Sequence, residues 1–307
     1  MGPTIYVNGR ITGEGEAVVS ALDHGFLYGE GVYEVVRTYG RKPFLFGRHM
    51  ARMRHSAAMI DLEVPFTDEH LLGEIEKTAV RFYESQGPKG DGMEMYVRIL
   101  LTRGVGALSY DVGSCTAPTV VIIIKPQVPP PPEAYEHGVG VILVPILRNH
   151  PYSLNPLIKS NNLLNNALAW QLAKRQGGYE AIMRNYRGEI AEGSISNIFV
   201  VKDGTVTTPP LDAGLLAGIT RAFVLELAPA VGVTVREGVV VDTDLFGADE
   251  CFLTSSTQEI VPVVKVNETT IGTGRPGPVT RRLHAEFRRR VADHGVERSD
   301  LGREGAL

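Results

Sequence analysis

A proline-rich segment near the middle of the chain limits how the polypeptide can fold. Residues 126–135 read PQVPPPPEAY, and five of the first seven are proline. Proline lacks a backbone N–H and clashes with the preceding helical turn, so we expect neither a helix nor a central strand here. The segment is interpreted as a stiff extended linker. The sequence therefore predicts two domains, at 1–125 and 136–307, joined by a linker at 126–135.

Strands and helices are predicted on both sides of this linker. Asn8-Gly9, between two short apolar runs, is a strong signal for a β-hairpin. The β-branched run at 119–126 is expected to be a strand buried on both faces. The patterns predict an α/β (α+β) fold. Helices are predicted at 46–60, 68–85, 161–177, 218–232 and 277–295, and further strands at 93–104, 138–146, 179–185, 188–193, 196–206, 233–240 and 250–257.

Composition excludes several classes of function. The net charge of −4 and the pI of about 6.1 give no reason to expect a nucleic-acid or membrane-surface partner. Cys115 and Cys251 are far apart and lack neighbouring metal-ligand residues, so neither a disulfide framework nor a metal site is expected. Reduced thiols and an N-terminus that does not resemble a signal peptide predict a cytoplasmic location.

Lys159 and Glu192 are the first candidates for chemistry. Lys159 ends the short apolar run Leu157-Ile158 and precedes a predicted helix. It is either a solvated residue at a helix start, which is the commoner case, or a buried amine able to act as a nucleophile. Glu192 lies in a strand-like segment, where an acid is more often an exposed edge residue. The small residues after Glu192 leave space for a planar group.

Three further segments could bind an anion. Gly218-Ile219-Thr220 opens a predicted helix, whose free N–H groups and dipole attract negative charge, although most helix starts bind nothing. Arg52 could supply a charged fork, as could several other arginines. The hydroxyls of Thr254-Ser255-Ser256-Thr257 could bind phosphate, or form only a turn. A lysine, an acid and phosphate donors are the groups that a pyridoxal cofactor requires.

The order of these residues along the chain resembles the class IV aminotransferases, which have the type IV fold of pyridoxal-phosphate enzymes. The resemblance runs from about Ile5 to about Val291. It is carried by HGFLYGEGVYEVVR at 24–37, RHMARM at 48–53, Lys159, EGSISN at 192–197, LLAGIT at 215–220 and SSTQEIVPV at 255–263.

The resemblance implies a role for each matching residue. Lys159 would carry pyridoxal 5′-phosphate as a Schiff base and move the proton of the substrate α-carbon. Glu192 would pair with the pyridine nitrogen, and Leu216 would pack on the ring. The family's two-domain architecture, with the cofactor at the domain interface, and its homodimeric assembly are also implied. The remaining implied cofactor contacts are Arg52, Ser196, Asn197, Gly218, Ile219, Thr220, Ser256 and Thr257.

The choice of substrate is left open by the sequence. Tyr96 and Arg98 resemble the residues that help bind the substrate carboxylate in branched-chain enzymes, although Arg98 could instead be a structural partner of an acid. Val35 and Leu163-Leu164 resemble the D-amino acid enzymes. We predict transamination between a branched-chain amino acid and a 2-oxo acid such as 2-oxoglutarate, with Tyr33 and Gln258 also near the substrate. The alternatives are a D-amino acid or (R)-amine transaminase and an aminodeoxychorismate lyase.

Overall fold

The computed structural model describes residues 2–90 and 92–294, and its contacts divide the chain into two units. The first runs to Val128 and includes Ile158–Asn162, and the second contains Pro129–Leu157 and Leu163–Ala292. Lys159 therefore belongs to the first unit, whereas the sequence analysis assigned it to the second domain. Residues 295–307 of that predicted domain lie outside the described residues.

The first unit contains an antiparallel sheet of six described strands in the order β2-β1-β6-β5-β3-β4. The predicted hairpin is confirmed, since Asn8 and Gly9 both have the positive φ that a tight turn needs. The strand β3 was not predicted. The strands are β1 (Thr4–Val7), β2 (Arg10–Gly13), β3 (Gly31–Tyr39), β4 (Lys42–Pro43), β5 (Met95–Thr102) and β6 (Thr119–Pro126).

One face of this sheet packs on helices to form the core of the unit. Along β6, Ile122 and Ile124 are fully buried, whereas Val121 and Ile123 on the other face are half-buried. The expectation of complete burial on both faces was therefore wrong, because the helices pack on only one face. The helices are α1 (His24–Leu27), α2 (Phe46–Ala58) and α3 (Asp68–Gln86).

The second unit contains a sheet of nine described strands, eight of them in the order β12-β11-β10-β13-β14-β7-β8-β9, with β15 paired to β14. Parallel and antiparallel pairs are mixed in this sheet. The strands are β7 (Val139–Leu143), β8 (Ala181–Arg184), β9 (Ile190–Gly193), β10 (Asn197–Lys202), β11 (Thr205–Thr208), β12 (Thr234–Glu237), β13 (Glu250–Ser255), β14 (Glu259–Val266) and β15 (Thr269–Thr270). The helices in this half of the chain are α4 (Pro132–Glu136), α5 (Leu164–Arg175), α6 (Ile219–Leu227), α7 (Asp242–Phe246) and α8 (Pro278–His294).

Two proline-containing segments differ from the sequence prediction. The predicted linker ends in the short helix α4, which Pro132 can open because the first helical residue needs no N–H donor. The central strand β14 was not predicted, and it contains Pro262, a residue type that is rare in central strands. That residue pairs with Phe252 of β13, and pairing with β7 begins only at Val263, so the missing donor is tolerated.

Short 3-10 helices complete the described secondary structure, at Glu14–Glu16, Gly87–Gly90, Val112–Ser114, Leu211–Ala213 and Ala228–Val231. Among the residues that the structure describes, no helix combines the length and apolar character needed to cross a membrane.

Candidate active site

Backbone hydrogen bonds hold the segment that carries Lys159 against β3 in the first unit. The N–H of Tyr33 donates to the carbonyl of Lys159 at 2.9 Å, and the N–H of Asn161 donates to the carbonyl of Gly31 at 2.9 Å. The N–H of Lys159 donates to Ser56 Oγ on α2 at 3.1 Å. A side chain at Gly31 would clash with Asn161, so glycine permits this close approach. The position of the lysine backbone is thus fixed by two elements.

Four of the five predicted substrate-binding residues share one face of the first sheet, whereas Gln258 lies in the second unit. Val35 pairs with Arg98, and Tyr33 and Tyr96 are each two residues away along the strand from one member of that pair. The Arg98 guanidinium carbon lies 4.1 Å from the centre of the Tyr33 ring, and Lys159 Nζ lies 4.5 Å from the same centre. The structure therefore brings together an amine, a guanidinium and an aromatic ring, and Val35 is the cross-strand partner of Arg98.

A buried ion cluster lies on the opposite face of β3. Glu34 receives hydrogen bonds from Arg52 Nε at 2.7 Å and Arg52 Nη2 at 2.8 Å, and its second oxygen lies 2.7 Å from His49 Nδ1. Burial alone would raise the pKa of Glu34, but Arg52 and His49 bring it well below its usual range. Burial lowers the pKa of His49, and the nearby charges of Arg52 and Lys159 lower it further, partly offset by Glu34.

This cluster changes how Arg52 is interpreted. The sequence analysis expected its guanidinium to grip the cofactor phosphate. Two of its three nitrogens, Nε and Nη2, are instead committed to Glu34 in a bidentate pair. Glu34 therefore sets the orientation of Arg52. A contact between Arg52 and phosphate remains a prediction.

In the second unit, three donors converge on Glu192. Arg148 Nε donates to Glu192 Oε1 at 2.6 Å, while the N–H of Leu216 at 3.0 Å and Asn197 Nδ2 at 3.4 Å donate to Oε2. The carboxylate is buried. A side chain at Gly218, immediately before α6, would clash with Asn197. The structure thus brings together four of the predicted cofactor residues and adds Arg148.

Two places in the second unit offer hydrogen bonds to an anion. Ile219 and Thr220 open α6, and the first N–H groups of a helix have no partner within it. At the end of β13 and in the turn that leads to β14, three side-chain atoms are buried with no hydrogen-bond partner among the described residues. These atoms are Thr254 Oγ1, Ser255 Oγ and Gln258 Oε1. Buried polar groups are normally satisfied, so this turn is suited to a polar ligand group, and Ser256 and Thr257 lie within it.

Ser196 has a different partner from the one expected. Its hydroxyl donates to Glu180 Oε1 at 2.9 Å, which also accepts from Ile195 N–H at 2.7 Å and from Ser194 Oγ at 3.4 Å. The pKa of Glu180 is raised to about 7, mainly by burial and also by nearby Glu192, although the three hydrogen-bond donors lower it. Because the Ser196 hydroxyl already donates its proton to Glu180, it can only accept a hydrogen bond from a ligand. Its contact with the cofactor remains a prediction.

The sequence analysis missed several polar residues of these two clusters. They are Glu34, His49, Arg148 and Glu180. For Glu34 a signal was available, since it occupies the same face of its strand as Val32 and Val36, where the alternating pattern requires an apolar residue. Arg148 lies in an irregular segment, where no periodic pattern marks an inward-facing side chain. Glu180 fell within the strand predicted at 179–185, but in the structure it lies just before β8.

Comparison with known proteins defines the class. The family model for class IV amino-transferases matches residues 31–266, and the chain belongs to this family. It is an aminotransferase whose cofactor is pyridoxal 5′-phosphate. The buried acid at Glu192, the amine of Lys159 and the unsatisfied polar atoms near Thr257 fit that cofactor.

Relatives with two different substrates are similar over nearly the full chain. The "Putative branched-chain-amino-acid aminotransferase" of Methanocaldococcus jannaschii is 37% identical over 284 residues, covering 92% of this chain and 95% of the relative. The D-alanine aminotransferase of Bacillus licheniformis is 32% identical over 287 residues, covering 94% of this chain and 96% of the relative.

Solved structures of branched-chain amino acid aminotransferases have the same fold. The Escherichia coli enzyme superimposes with a TM-score of 0.87 at 29% identity and covers 98% of both chains. A second branched-chain enzyme, solved with pyridoxamine 5′-phosphate, also gives 0.87 at 29% identity and covers 95% of both chains.

Proposed function

We propose that this aminotransferase moves an amino group between a branched-chain or related hydrophobic amino acid and a 2-oxo acid such as 2-oxoglutarate. The observation that carries the proposal is the placement of Lys159 Nζ and the Arg98 guanidinium over one aromatic ring. The amino group and carboxylate of an amino acid are attached to the same carbon. The residue that processes the amino group and the residue that binds the carboxylate must therefore lie close together.

Lys159 has two tasks in this proposal. Its amine would hold the cofactor through the cofactor's aldehyde, and in its free form it would move a proton to and from the substrate α-carbon. When bound, the cofactor supplies an electron sink that stabilises negative charge at that carbon. The hydrogen bonds of the Lys159 backbone to Tyr33 and Ser56 fix the point from which the side chain extends, which keeps the amine within one region of the site.

The remaining predicted site residues bind the cofactor or the substrate. Glu192 accepts the hydrogen bond of the pyridine nitrogen, and Leu216 packs on the ring. Arg98 binds the substrate carboxylate, because a guanidinium fork matches its geometry, and Tyr96 assists. Val35 limits the size of the substrate side chain, and Tyr33 and Gln258 are further substrate-binding residues. The phosphate is bound by Arg52, Ser256, Thr257 and the N–H groups of Ile219 and Thr220, while Ser196, Asn197 and Gly218 shape the cofactor pocket.

A second candidate is transamination of D-amino acids. It is favoured by the D-alanine aminotransferases among the relatives and by Val35 and Leu164, which resemble residues of the D-specific enzymes. A change of a few methyl groups in a pocket alters substrate preference by only ~1–3 kcal/mol, so Val35 alone does not decide between the two substrates.

A half-reaction panel tests both candidates. The purified protein is loaded with pyridoxal phosphate and mixed separately with L-leucine, D-alanine and (R)-1-phenylethylamine, and the loss of visible absorbance is followed. We expect L-leucine to react fastest, and Lys159→Ala to abolish the reaction. Faster conversion by D-alanine or by the amine would establish an alternative substrate. Failure to bind the cofactor, or an active Lys159→Ala variant, would overturn the whole proposal.

We further propose that the protein is a homodimer. Two loops of the first unit meet where Leu22 accepts a hydrogen bond from the N–H of Gly106. Large apolar side chains are exposed on these loops and on the adjoining helix α1, including Phe26 on α1 at 72% and Tyr110 at 82% exposure. Leu108 is also exposed, and apolar side chains of this kind suit contact with a second copy of the chain. A monomeric mass by light scattering would contradict this assembly. A cytoplasmic location stays a prediction.

A further inference from the structure

Arg148 joins Glu192 to a second fixed side chain. Within its guanidinium group, Nε donates to Glu192 Oε1 at 2.6 Å, while Nη1 donates to Asn165 Oδ1 at 3.0 Å. Asn165 in turn donates from Nδ2 to the carbonyl of Leu147 at 2.8 Å. Both Arg148 and Glu192 are at least nine-tenths buried in their side chains. Each end of the guanidinium is therefore held by a partner whose own position is fixed.

The hydrogen bonds of Glu192 leave capacity for one more donor. A carboxylate offers about four acceptor sites on its two oxygens. Three are used, by Arg148 on Oε1 and by Leu216 N–H and Asn197 on Oε2. The donors come from three separate segments of the second unit, so together they restrict rotation of the carboxylate. The one acceptor site that remains matches a ligand with a single N–H group.

We propose that Arg148 is a positioning residue that fixes the Glu192 carboxylate so that its remaining acceptor site is available to the cofactor's ring nitrogen. The inference rests on the proposed role of Glu192. Arg148 acts in two ways. Its fork fixes the direction of the carboxylate, and its permanent charge balances that of Glu192 while the acid is buried.

Lysine could not perform both tasks. An ammonium group is a point charge, whereas the planar guanidinium reaches Glu192 with one nitrogen and Asn165 with another. Arg148→Lys therefore keeps the charge and loses the link to Asn165. Asn165→Ala removes the same link from the other side and leaves Arg148 intact. If the fork matters, these two variants should behave alike, and Arg148→Met, which loses both charge and fork, should be more strongly affected.

The test compares holoenzymes by two measurements other than activity. The first is the pH dependence of the visible absorbance of the bound cofactor, which reports on the protonation of the ring and its surroundings. The second is the rate at which cofactor is lost when free pyridoxal phosphate is removed by gel filtration. For Arg148→Met we expect loss to be about tenfold faster or more, as for a broken buried charge pair, and a shifted absorbance profile. For Arg148→Lys and Asn165→Ala we expect equal, smaller changes of about threefold.

Arg184→Met is the matched control. Arg184 forms a similar two-branched pair with Asp242 in the same unit, at 2.8 and 2.6 Å, and no role at the cofactor is proposed for it. It should lower thermal stability without altering either cofactor measurement. Wild-type behaviour of Arg148→Lys and Asn165→Ala in both measurements would overturn the inference, even if Arg148→Met does not fold. A wild-type protein that binds no cofactor would instead refute the proposed function.

Discussion

Glu34 in the first unit and Glu180 in the second are both completely buried, yet their pKa values move in opposite directions. Glu34 faces a cation, since the guanidinium of Arg52 holds both of its oxygens. Glu180 accepts hydrogen bonds from an N–H group and two hydroxyls, none of them a cation, and the like-charged Glu192 raises its pKa. Burial raises the pKa of both carboxyl groups, so the charge of the partner decides the outcome.

The difference separates two uses of a buried acid. Glu34 stays ionised at neutral pH and holds Arg52 in position. Glu180 has a pKa of about 7, so it is partly protonated at neutral pH. It holds the turn that follows Glu192, and Gly193 leaves the space that its carboxyl group occupies. The buried acid of the first unit thus stays charged and holds its partner in place, whereas the buried acid of the second unit gains or loses a proton near neutral pH.

Removing the charge of Glu34 should have the largest effect on stability. Glu34→Gln leaves Arg52 buried without its counter-charge, and we expect the free energy of unfolding in urea to fall by about 3–5 kcal/mol at neutral pH. Because the pKa of Glu34 is lower in the folded protein than in the unfolded chain, its ionised form stabilises the fold above the unfolded-state pKa. This stabilisation is lost as the pH falls through the folded-state pKa. The difference between wild type and variant should therefore shrink in acid.

Glu16→Gln is the control for this prediction. Glu16 pairs with Arg10 at 3.3 Å, but both side chains are largely exposed. Its loss should change the free energy of unfolding little. Equal effects of the two substitutions would show that burial of the Glu34 cluster has no energetic consequence.

Glu180→Gln should change the pH dependence of stability in the opposite sense. With a folded-state pKa raised to about 7 from 4.5, the native protein binds more protons than the unfolded chain between these values. Stability is therefore lost as the pH rises through this window, by ~3 kcal/mol at most. The glutamine variant should lack this loss. If the free energy of unfolding falls equally steeply from pH 5 to pH 8 in both proteins, this prediction is wrong.

Ser196→Ala should have the smallest effect. It removes one hydroxyl donor to Glu180, and we expect a loss of about 1 kcal/mol in the free energy of unfolding. The loss should be larger at pH 8 than at pH 5, because the ionised carboxylate accepts the stronger hydrogen bond. Ser109→Ala, in an exposed loop, serves as the control. A loss that does not vary with pH would mean that Glu180 does not titrate in this range.

Local patterns predicted much of the secondary structure but not its exceptions. The hairpin at Asn8-Gly9 and the helices α2 and α3 follow from turn chemistry and helical spacing, which act over a few residues. The strand β14 was not predicted, and its Pro262 would by itself argue against a central strand. Whether the missing N–H of Pro262 is tolerated depends on the neighbouring strands. The tertiary structure shows that β7 pairs with β14 only from Val263 onward.

The sequence by itself determined the family, the cofactor and the order of the candidate residues, because these depend on residue identity and spacing. It also marked Lys159 and Glu192. Only the tertiary structure decided what holds them. Arg148 lies 44 residues from Glu192 in the chain, and Glu34 lies 18 from Arg52. No local pattern connects such pairs, since a buried charge selects its partner by distance in the folded protein and by the burial that makes an unpaired charge costly.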